Sequence, residues 1–484
     1  MKKIKQALKT IASPIGWLVR NLLRLLTRVF GQENKFTSLL SNKDLRNRIL
    51  FTLLVVMIIR LLTAVPIPTF TKDVIEQTSG NSPFSTFYTL ITGGRIDSFS
   101  IVAIGIGPYI NASIIMQLLT AVIPHLEELS KEGQRGKKII GQYTRYLTLP
   151  LAIVQSIVIT VLLLSQLSAQ ADTVVVEFIE SITLVDRVTM ILALTAGSMI
   201  LMWLGELITD RGIGNGSSIV ITVGILGVLP SLIRQDFSLL SLDMSQINTA
   251  TDILRSEMFL TVIVLVLGLI AMVAGIVFVT EATRRLTIQY ASRVRAAGGV
   301  RSSFLPLKLN QAGVIPVIFA SSLLSFPQII TQFAVNQLDS GIIYDIALKI
   351  NGSFLADFNS TGYLITYFIL IVGFSYFYTF VVMKPDEVAD NLKKSGGFIP
   401  GMRPGESTAK FISQILIKLT FVGSIFLAVV ALLPTLFQIG FDTQNLVVLS
   451  GIGGTSILII VGVIIDTYRQ IGSYLVTSSY EQFR

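Results

Sequence analysis

The sequence predicts an all-α polytopic membrane protein with ten transmembrane helices arranged as two inverted five-helix halves. The 484-residue chain is 52% hydrophobic and only 14% charged, so its apolar surface exceeds what a soluble core buries. Apolar runs of about 17 to 25 residues, the length that a bilayer core requires, recur along the chain. A short motif in the second of these runs also returns in the seventh.

The first 48 residues contain no run long enough to cross a membrane. Ser13 and Pro14 are typical of a helix start, and the stretch 15–30 that follows carries arginines on one face, four residues apart, at Arg20, Arg24 and Arg28. Sixteen residues are too few to span. We therefore expect an amphipathic helix on the membrane surface, with a buried partner-binding helix as the alternative.

The predicted spans divide into a first half, 49–257, and a second half, 258–466, followed by a tail, 467–484. They lie at 49–65, 99–123, 147–167, 188–208, 213–233, 258–280, 312–332, 362–383, 411–433 and 446–466. If the N-terminus is cytoplasmic, 30 of the 38 Lys and Arg residues fall in inner segments. This excess places both termini in the cytoplasm. Because each half has five spans, an odd number, the second half enters the membrane in the opposite sense to the first.

A repeated motif supports this inverted arrangement. The pattern G-x-x-P-x-I-x-A-S occurs in the second span and again 208 positions later, in the second span of the other half. The matching residues are Gly105, Pro108, Ile110, Ala112 and Ser113, and then Gly313, Pro316, Ile318, Ala320 and Ser321. Internal repeats with inverted topology are typical of proteins that pass solutes across membranes.

Two inner loops, 281–310 and 384–410, are longer than a helix hairpin needs. The first contains the apolar run at 304–307 and the second a rigid run rich in Gly and Pro, FIPGMRPG, at 398–405. We interpret both as docking surfaces for a cytosolic partner, with plain connectors as the alternative. On the outer side, 84–98 is too polar to span and is predicted to be a short half-helix that folds back.

The sequence contains no motif that indicates an enzyme site. The chain has no cysteine, and its single histidine, His125, follows a proline at the end of an apolar run. No nucleotide-binding loop and no metal-ligand spacing is present, so we predict neither an enzyme nor a cofactor or metal site. The ionisable residues within the spans are expected near span ends, at Arg60, Glu206, Lys418 and Asp466.

Six motifs follow one another along the chain. They are GIGPYINASIIMQLLT (105–120), LSKEGQRGKKIIGQYTRY (129–146), LMWLGELITDRGIGNGSS (201–218), FLPLKLNQAGVIPVIFASS (304–322), KPDEVADNLKKSGGFIPGMRPGESTAKF (384–411) and GGTSILIIVGVIID (453–466). In this order they resemble the bacterial SecY family, the central subunit of the protein-conducting translocon. The resemblance covers all ten predicted spans.

The resemblance implies two halves around a central pore that also opens sideways into lipid. This lateral gate lies between the second and third helices on one side and the seventh and eighth on the other. A ring of aliphatic side chains would seal the pore, at Ile106, Ile110, Ile221, Ile318 and Ile459. The half-helix at 84–98 corresponds to the family's plug. Polar residues of the second span would then face the pore or gate, at Asn111, Ser113 and Gln117.

Partners also follow from the resemblance. The long loops would bind the ribosome or the SecA motor ATPase, with Arg284 and Arg285 in the first loop and Arg403 in the second. SecE-like and SecG-like subunits, signal peptides, nascent polypeptides and membrane lipids complete the expected partners. The implied location is the bacterial plasma membrane. A loop-stiffening hydrogen-bond donor is the alternative role for Arg403.

Two departures from the family pattern stand out. The first 40 or so residues exceed what a typical member carries, and Ser217 and Gly107 occupy positions where larger or apolar residues are common.

Two other functions stay open on the residues alone. One is a secondary transporter of a small solute, which would need a polar, saturable site; the other is an assembly scaffold with a closed pore.

Overall fold

The computed structural model describes residues 43–69, 100–168, 182–227, 257–290, 303–337, 360–441 and 454–481. The predicted surface helix at 15–30 and the predicted plug at 84–98 lie outside these ranges. The described residues are mostly helical. In chain order they form α1 (Lys43–Thr63), α2 (Gly107–Val122), α3 (Pro124–Lys131), α4 (Gln134–Ser168), α5 (Leu184–Arg211), α6 (Gly216–Gly227), α7 (Glu257–Glu281), β1 (Thr283–Tyr290), β2 (Ser303–Lys308), α8 (Ile315–Gln337), α9 (Thr361–Val382), α10 (Pro385–Lys394), β3 (Gly397–Phe398), α11 (Glu406–Phe441) and α12 (Gly454–Glu481).

Several of these helices are suited to a bilayer. Within the described ranges, five are long and apolar enough to cross: α4, α5, α9 with the adjoining α10, α11 and α12. The pair α2 and α3, bent by 99° at Ile123, makes a sixth if it is counted as one span. Each of the ten predicted spans overlaps a helix. The number ten stays a prediction, because α6 and the described apolar parts of α7 and α8 are shorter than a bilayer core requires.

Local sequence explains where the long helices begin. Thr183 precedes α5 and forms a capping box, in which its hydroxyl accepts from the Asp186 amide and the Asp186 carboxylate accepts from the Thr183 amide. Ser360 caps α9 by accepting from the Tyr363 amide. These side chains satisfy amide groups that the first helical turn leaves unpaired.

A three-stranded antiparallel sheet, in the order β2-β1-β3, corrects the expectation of a purely helical fold. Strands β1 and β2 come from the first long loop, whereas β3 comes from the second and pairs with the end of β1. One face of the sheet is buried with α10 and the start of α11, in a cluster that includes Leu286, Ile288, Leu307, Leu392, Ile399 and Ile412. We call these three strands, α10 and the first turns of α11 the sheet module.

Close helix contacts depend on glycine in α5. A Cβ atom on Gly197 would lie 2.0 Å from the carbonyl oxygen of Ile101, and a Cβ atom on Gly216 would lie 1.7 Å from the carbonyl oxygen of Gly205. Both neighbouring atoms belong to the backbone and cannot rotate away. The α5 helix therefore packs directly against the segment before α2 and against the start of α6.

The Gly197→Ala variant is expected to be destabilised. The new methyl group would displace the backbone at Ile101, and we expect the free energy of unfolding to fall by roughly 1–3 kcal/mol, the usual cost of overpacking. The measurement is the thermal midpoint in detergent. Gly141→Ala is the matched control, because a Cβ atom there meets no atom within 4 Å. Equal midpoints for the two variants would contradict the close approach of α5 to Ile101.

Among the described residues, two of the places where the predicted halves meet are helix–helix contacts. The α8 helix packs against α2 and α4, and α12 packs against α1. At the second place, the Gly214 amide donates to Gln470 Oε1 over 2.8 Å. The guanidinium carbon of Arg48 also lies 5.1 Å from the ring centre of Tyr474, a cation–π distance. These contacts join α12 to α1 and to the link between α5 and α6.

Candidate functional site

Five isoleucines from four regions of the chain meet in one buried hydrophobic cluster. They are the residues predicted to form the aliphatic ring, Ile106, Ile110, Ile221, Ile318 and Ile459, and each is at most 7% exposed. Ile106 directly precedes α2 and Ile110 lies in its first turn, while the other three come from α6, α8 and α12. We refer to these five residues as the isoleucine cluster. It joins helices of both predicted halves into one apolar contact.

The repeated motif produces the same local backbone at both of its copies. Gly105 and Gly313 have φ values of 66° and 64°, in the left-handed region that favours glycine. Each lies two residues before its helix, and a proline is the second residue of α2 and of α8. Consequently Ile110 and Ile318 are both fourth residues of their helices. They reach the same cluster from equivalent helical positions.

Ile106 packs beside Gly205 of α5. A Cβ atom on Gly205 would lie 3.5 Å from Ile106 Cδ1 and 3.6 Å from the carbonyl carbon of Gly216. Both are ordinary van der Waals distances, so Ile106 is in normal packing contact with α5 near the point where α5 and α6 are closest. The sequence analysis did not identify this glycine, because the contact joins residues 99 positions apart.

The three predicted polar residues lie on α2, the helix that contacts α8. Asn111 is buried, and the Gln117 amide donates to the Ser113 hydroxyl over 3.1 Å. Within the described residues, Gln117 Oε1 is buried without a hydrogen-bond partner. An unpaired buried carbonyl is unfavourable, typically by about 1–3 kcal/mol, so it favours an arrangement that offers a donor. The contact of α2 and α4 with α8 is called the seam below.

Two of the four ionisable residues predicted near span ends have partners on other helices. The Arg145 Nε group of α4 donates to Glu206 Oε1 of α5 over 2.8 Å, with the carboxylate side chain 21% exposed. Arg60 donates to the carbonyl of Val223 on α6. Lys418 and Asp466 are exposed. No sequence pattern indicates the ion pair of Arg145 and Glu206, since the two residues are 61 positions apart.

The three predicted docking arginines are exposed, two on the sheet module and one in a turn within its chain segment. Arg284 and Arg285 are at the start of β1, opposite Leu307 and Pro306 of β2. Arg403 lies in the turn between β3 and α11. Its carbonyl accepts from the Thr408 hydroxyl over 2.9 Å, while its guanidinium makes no hydrogen bond within the described ranges. The Arg403 backbone, rather than its side chain, therefore stiffens the turn.

Comparison with known proteins gives consistent matches over most of the chain. The profile of the SecY family matches residues 100–468. A Streptomyces coelicolor protein named protein translocase subunit SecY is 43% identical over 455 residues, covering 93% of this chain and 99% of its own. A Mycobacterium tuberculosis protein of the same name is 41% identical over 463 residues, with the same coverage of both chains.

Solved structures show the same fold at lower sequence identity. One, described as the structure of a protein conducting channel, aligns with a TM-score of 0.60 at 18% identity and covers 88% of this chain and 92% of its own. Another, described as Sec61 in a canine ribosome-channel complex, has a TM-score of 0.56 at 18% identity, with the same coverage.

Proposed function

The chain belongs to the SecY family, and from that membership we propose that it is the central channel-forming subunit of a Sec translocon. Unfolded secretory proteins pass through a pore at the isoleucine cluster, and segments of membrane proteins leave sideways into the lipid. The observation that carries the proposal is the meeting of five isoleucines from both predicted halves at one buried place. An aliphatic constriction excludes water and ions without a charged gate.

The seam is the lateral gate in this proposal. Helices α2 and α4 are the second and third predicted spans, and α8 and α9 are the seventh and eighth. Contact of α8 with α2 and α4 corresponds to a closed gate. Asn111, Ser113 and Gln117 lie on the α2 side, and the unpaired Gln117 carbonyl would accept from a departing polypeptide.

The topology in this proposal has ten spans in two inverted halves, with both termini in the cytoplasm of a bacterial cell. The backbone has the same conformation just before α2 and just before α8, which supports the repeat. The plug, at 84–98, would close the outer side of the pore. Lipids and SecE-like or SecG-like subunits would cover the exposed apolar side chains of α1, among them Leu50, Leu53, Leu54, Met57 and Leu61.

The sheet module is the docking surface for the ribosome and for the SecA motor in this proposal. Its exposed arginines are positively charged and so complement the negative charge of ribosomal RNA. The Sec61 relative is described in a ribosome-channel complex, and a further structural relative, with a TM-score of 0.57 at 15% identity, is described as an Ssh1 complex bound to a ribosome.

Cysteine cross-linking tests whether a polypeptide passes the isoleucine cluster. The chain has no cysteine, so a single introduced thiol is unique. We expect Ile110→Cys to form a disulfide with a cysteine in a client protein stalled during translocation. The control is Ile153→Cys on the exposed side of α4, which should not cross-link. Equal cross-linking at both positions, or none at Ile110→Cys while translocation proceeds, would contradict the pore assignment.

A further inference from the structure

A cavity of about 190 Å³ lies next to the isoleucine cluster but is not lined by any of its five members. It is bounded by the ends of α7 and α9, the first half of α12, the middle of α11, the start of α6 and the 309–314 link that leads into α8. Val463 both lines the cavity and packs in the hydrophobic core around the isoleucines. The volume is sufficient for several water molecules or for a small polar group.

Hydrogen-bond donors without partners are associated with this cavity. Arg469 Nη1 and Gln311 Nε2 are both buried and make no hydrogen bond within the described residues, and both residues line the cavity. The other amino group of Arg469 donates to the Thr280 carbonyl and to Glu281, over 3.0 and 2.9 Å. This bonding holds the guanidinium in place. An unpaired buried donor is unfavourable unless a ligand or water accepts from it.

A second cation lines the same cavity. Lys308, at the end of β2, makes no ion pair within 4 Å among the residues that the structure describes. Burial and the neighbouring Arg469 charge lower the pKa of the Lys308 ammonium, and Asp466 and Glu281 oppose that effect. The Asp466 side chain is 62% exposed, and its Oδ1 atom is 3.9 Å from Arg469 Nη1. Neither carboxylate supplies the missing hydrogen bonds.

We propose that this cavity binds a phosphate-type oxyanion through Lys308, Gln311 and Arg469. A tetrahedral oxyanion presents several acceptor oxygens, which matches three donor groups, two of them charged. The oxyanion is either free phosphate or the phosphodiester of a lipid headgroup, because basic pockets between transmembrane helices bind such headgroups.

The test is binding of three probes to the full-length protein, purified in neutral detergent. The probes are inorganic phosphate, dioctanoyl phosphatidylglycerol and dioctanoyl phosphatidylcholine, and the readout is a saturable shift of the thermal midpoint. We expect Lys308→Gln to weaken binding of the anionic probe about tenfold, a loss typical of one charged hydrogen bond. Lys308→Arg should keep most of the affinity for the anionic probe, since the positive charge is kept.

Lys393→Gln is the matched control, because it removes the same charge from an exposed position on α10. Binding of both anionic probes, weakened only by Lys308→Gln, would support an oxyanion site that free phosphate can fill. Binding of phosphatidylglycerol alone, with the same sensitivity, would assign the site to a lipid headgroup. Equal binding of phosphatidylcholine, equal effects of the two glutamine variants, or no saturable binding would overturn the proposal and leave water as the occupant.

Discussion

Replacing Ile110 and Ile318 together with serine is expected to make the closed channel leak ions. Both side chains are at most 7% exposed and pack in the isoleucine cluster. A hydroxyl group at each position allows water to enter a constriction that aliphatic side chains keep dry. We expect ion conductance in planar bilayers to rise at least about tenfold, since apolar constrictions gate by dewetting.

The control for this leak uses two isoleucines that point away from the core. Ile153 on α4 is 39% exposed and Ile417 on α11 is 44% exposed, so their double serine variant removes the same atoms elsewhere. Its conductance should equal that of the unaltered chain. If the variant of Ile110 and Ile318 is monodisperse in detergent and yet remains closed, these isoleucines do not seal a pore. The scaffold alternative would then gain support.

Reversing the charge at Arg403 is expected to stop most motor-driven translocation without disturbing the fold. The guanidinium is exposed and makes no hydrogen bond in the described part of the chain, so its loss leaves the turn intact. A reversed charge facing an acidic partner costs several kcal/mol. We therefore expect Arg403→Glu to lower ATP-dependent client transport into vesicles at least about tenfold.

Arg187→Glu provides the comparison for that experiment. Arg187 is also exposed but lies at the start of α5, on the predicted outer side. Its variant should transport clients at the unaltered rate. Thermal midpoints of both variants should match that of the unaltered chain. Loss of transport in both, or in neither, would remove Arg403 from the docking surface.

Sequence alone predicted the parts of this molecule that depend on local pattern. Hydropathy located a helix within every predicted span, because runs of apolar residues are required wherever a helix meets lipid. The motif around Gly105 and Gly313 predicted a repeat, and the two glycines do have the same left-handed backbone. The isoleucines of the ring came from the family resemblance, and the structure brings all five together.

Features that depend on distant contacts were missed. The pairing of β3 with β1 joins residues more than 100 positions apart, and two residues of β3 give no strand signal of their own. In β2 the half-buried Leu305 and buried Leu307 alternate with the exposed Phe304 and Pro306, as a strand requires, but the strand is only six residues long. The ion pair of Arg145 with Glu206 and the cavity beside Lys308 likewise form only when the helices pack together.

The strand pairing also constrains how the two long loops can change during evolution. Gln289 and Tyr290 of one loop pair with Phe398 and Gly397 of the other, and a Cβ atom on Gly397 would lie 3.0 Å from the Tyr290 ring. A larger residue at 397 would therefore crowd the Tyr290 ring and also Ile288 Cγ2, which would lie 3.2 Å from the new Cβ atom. We expect substitutions at positions 290 and 397 to be correlated among relatives, so that a change in one loop is matched by a change in the other.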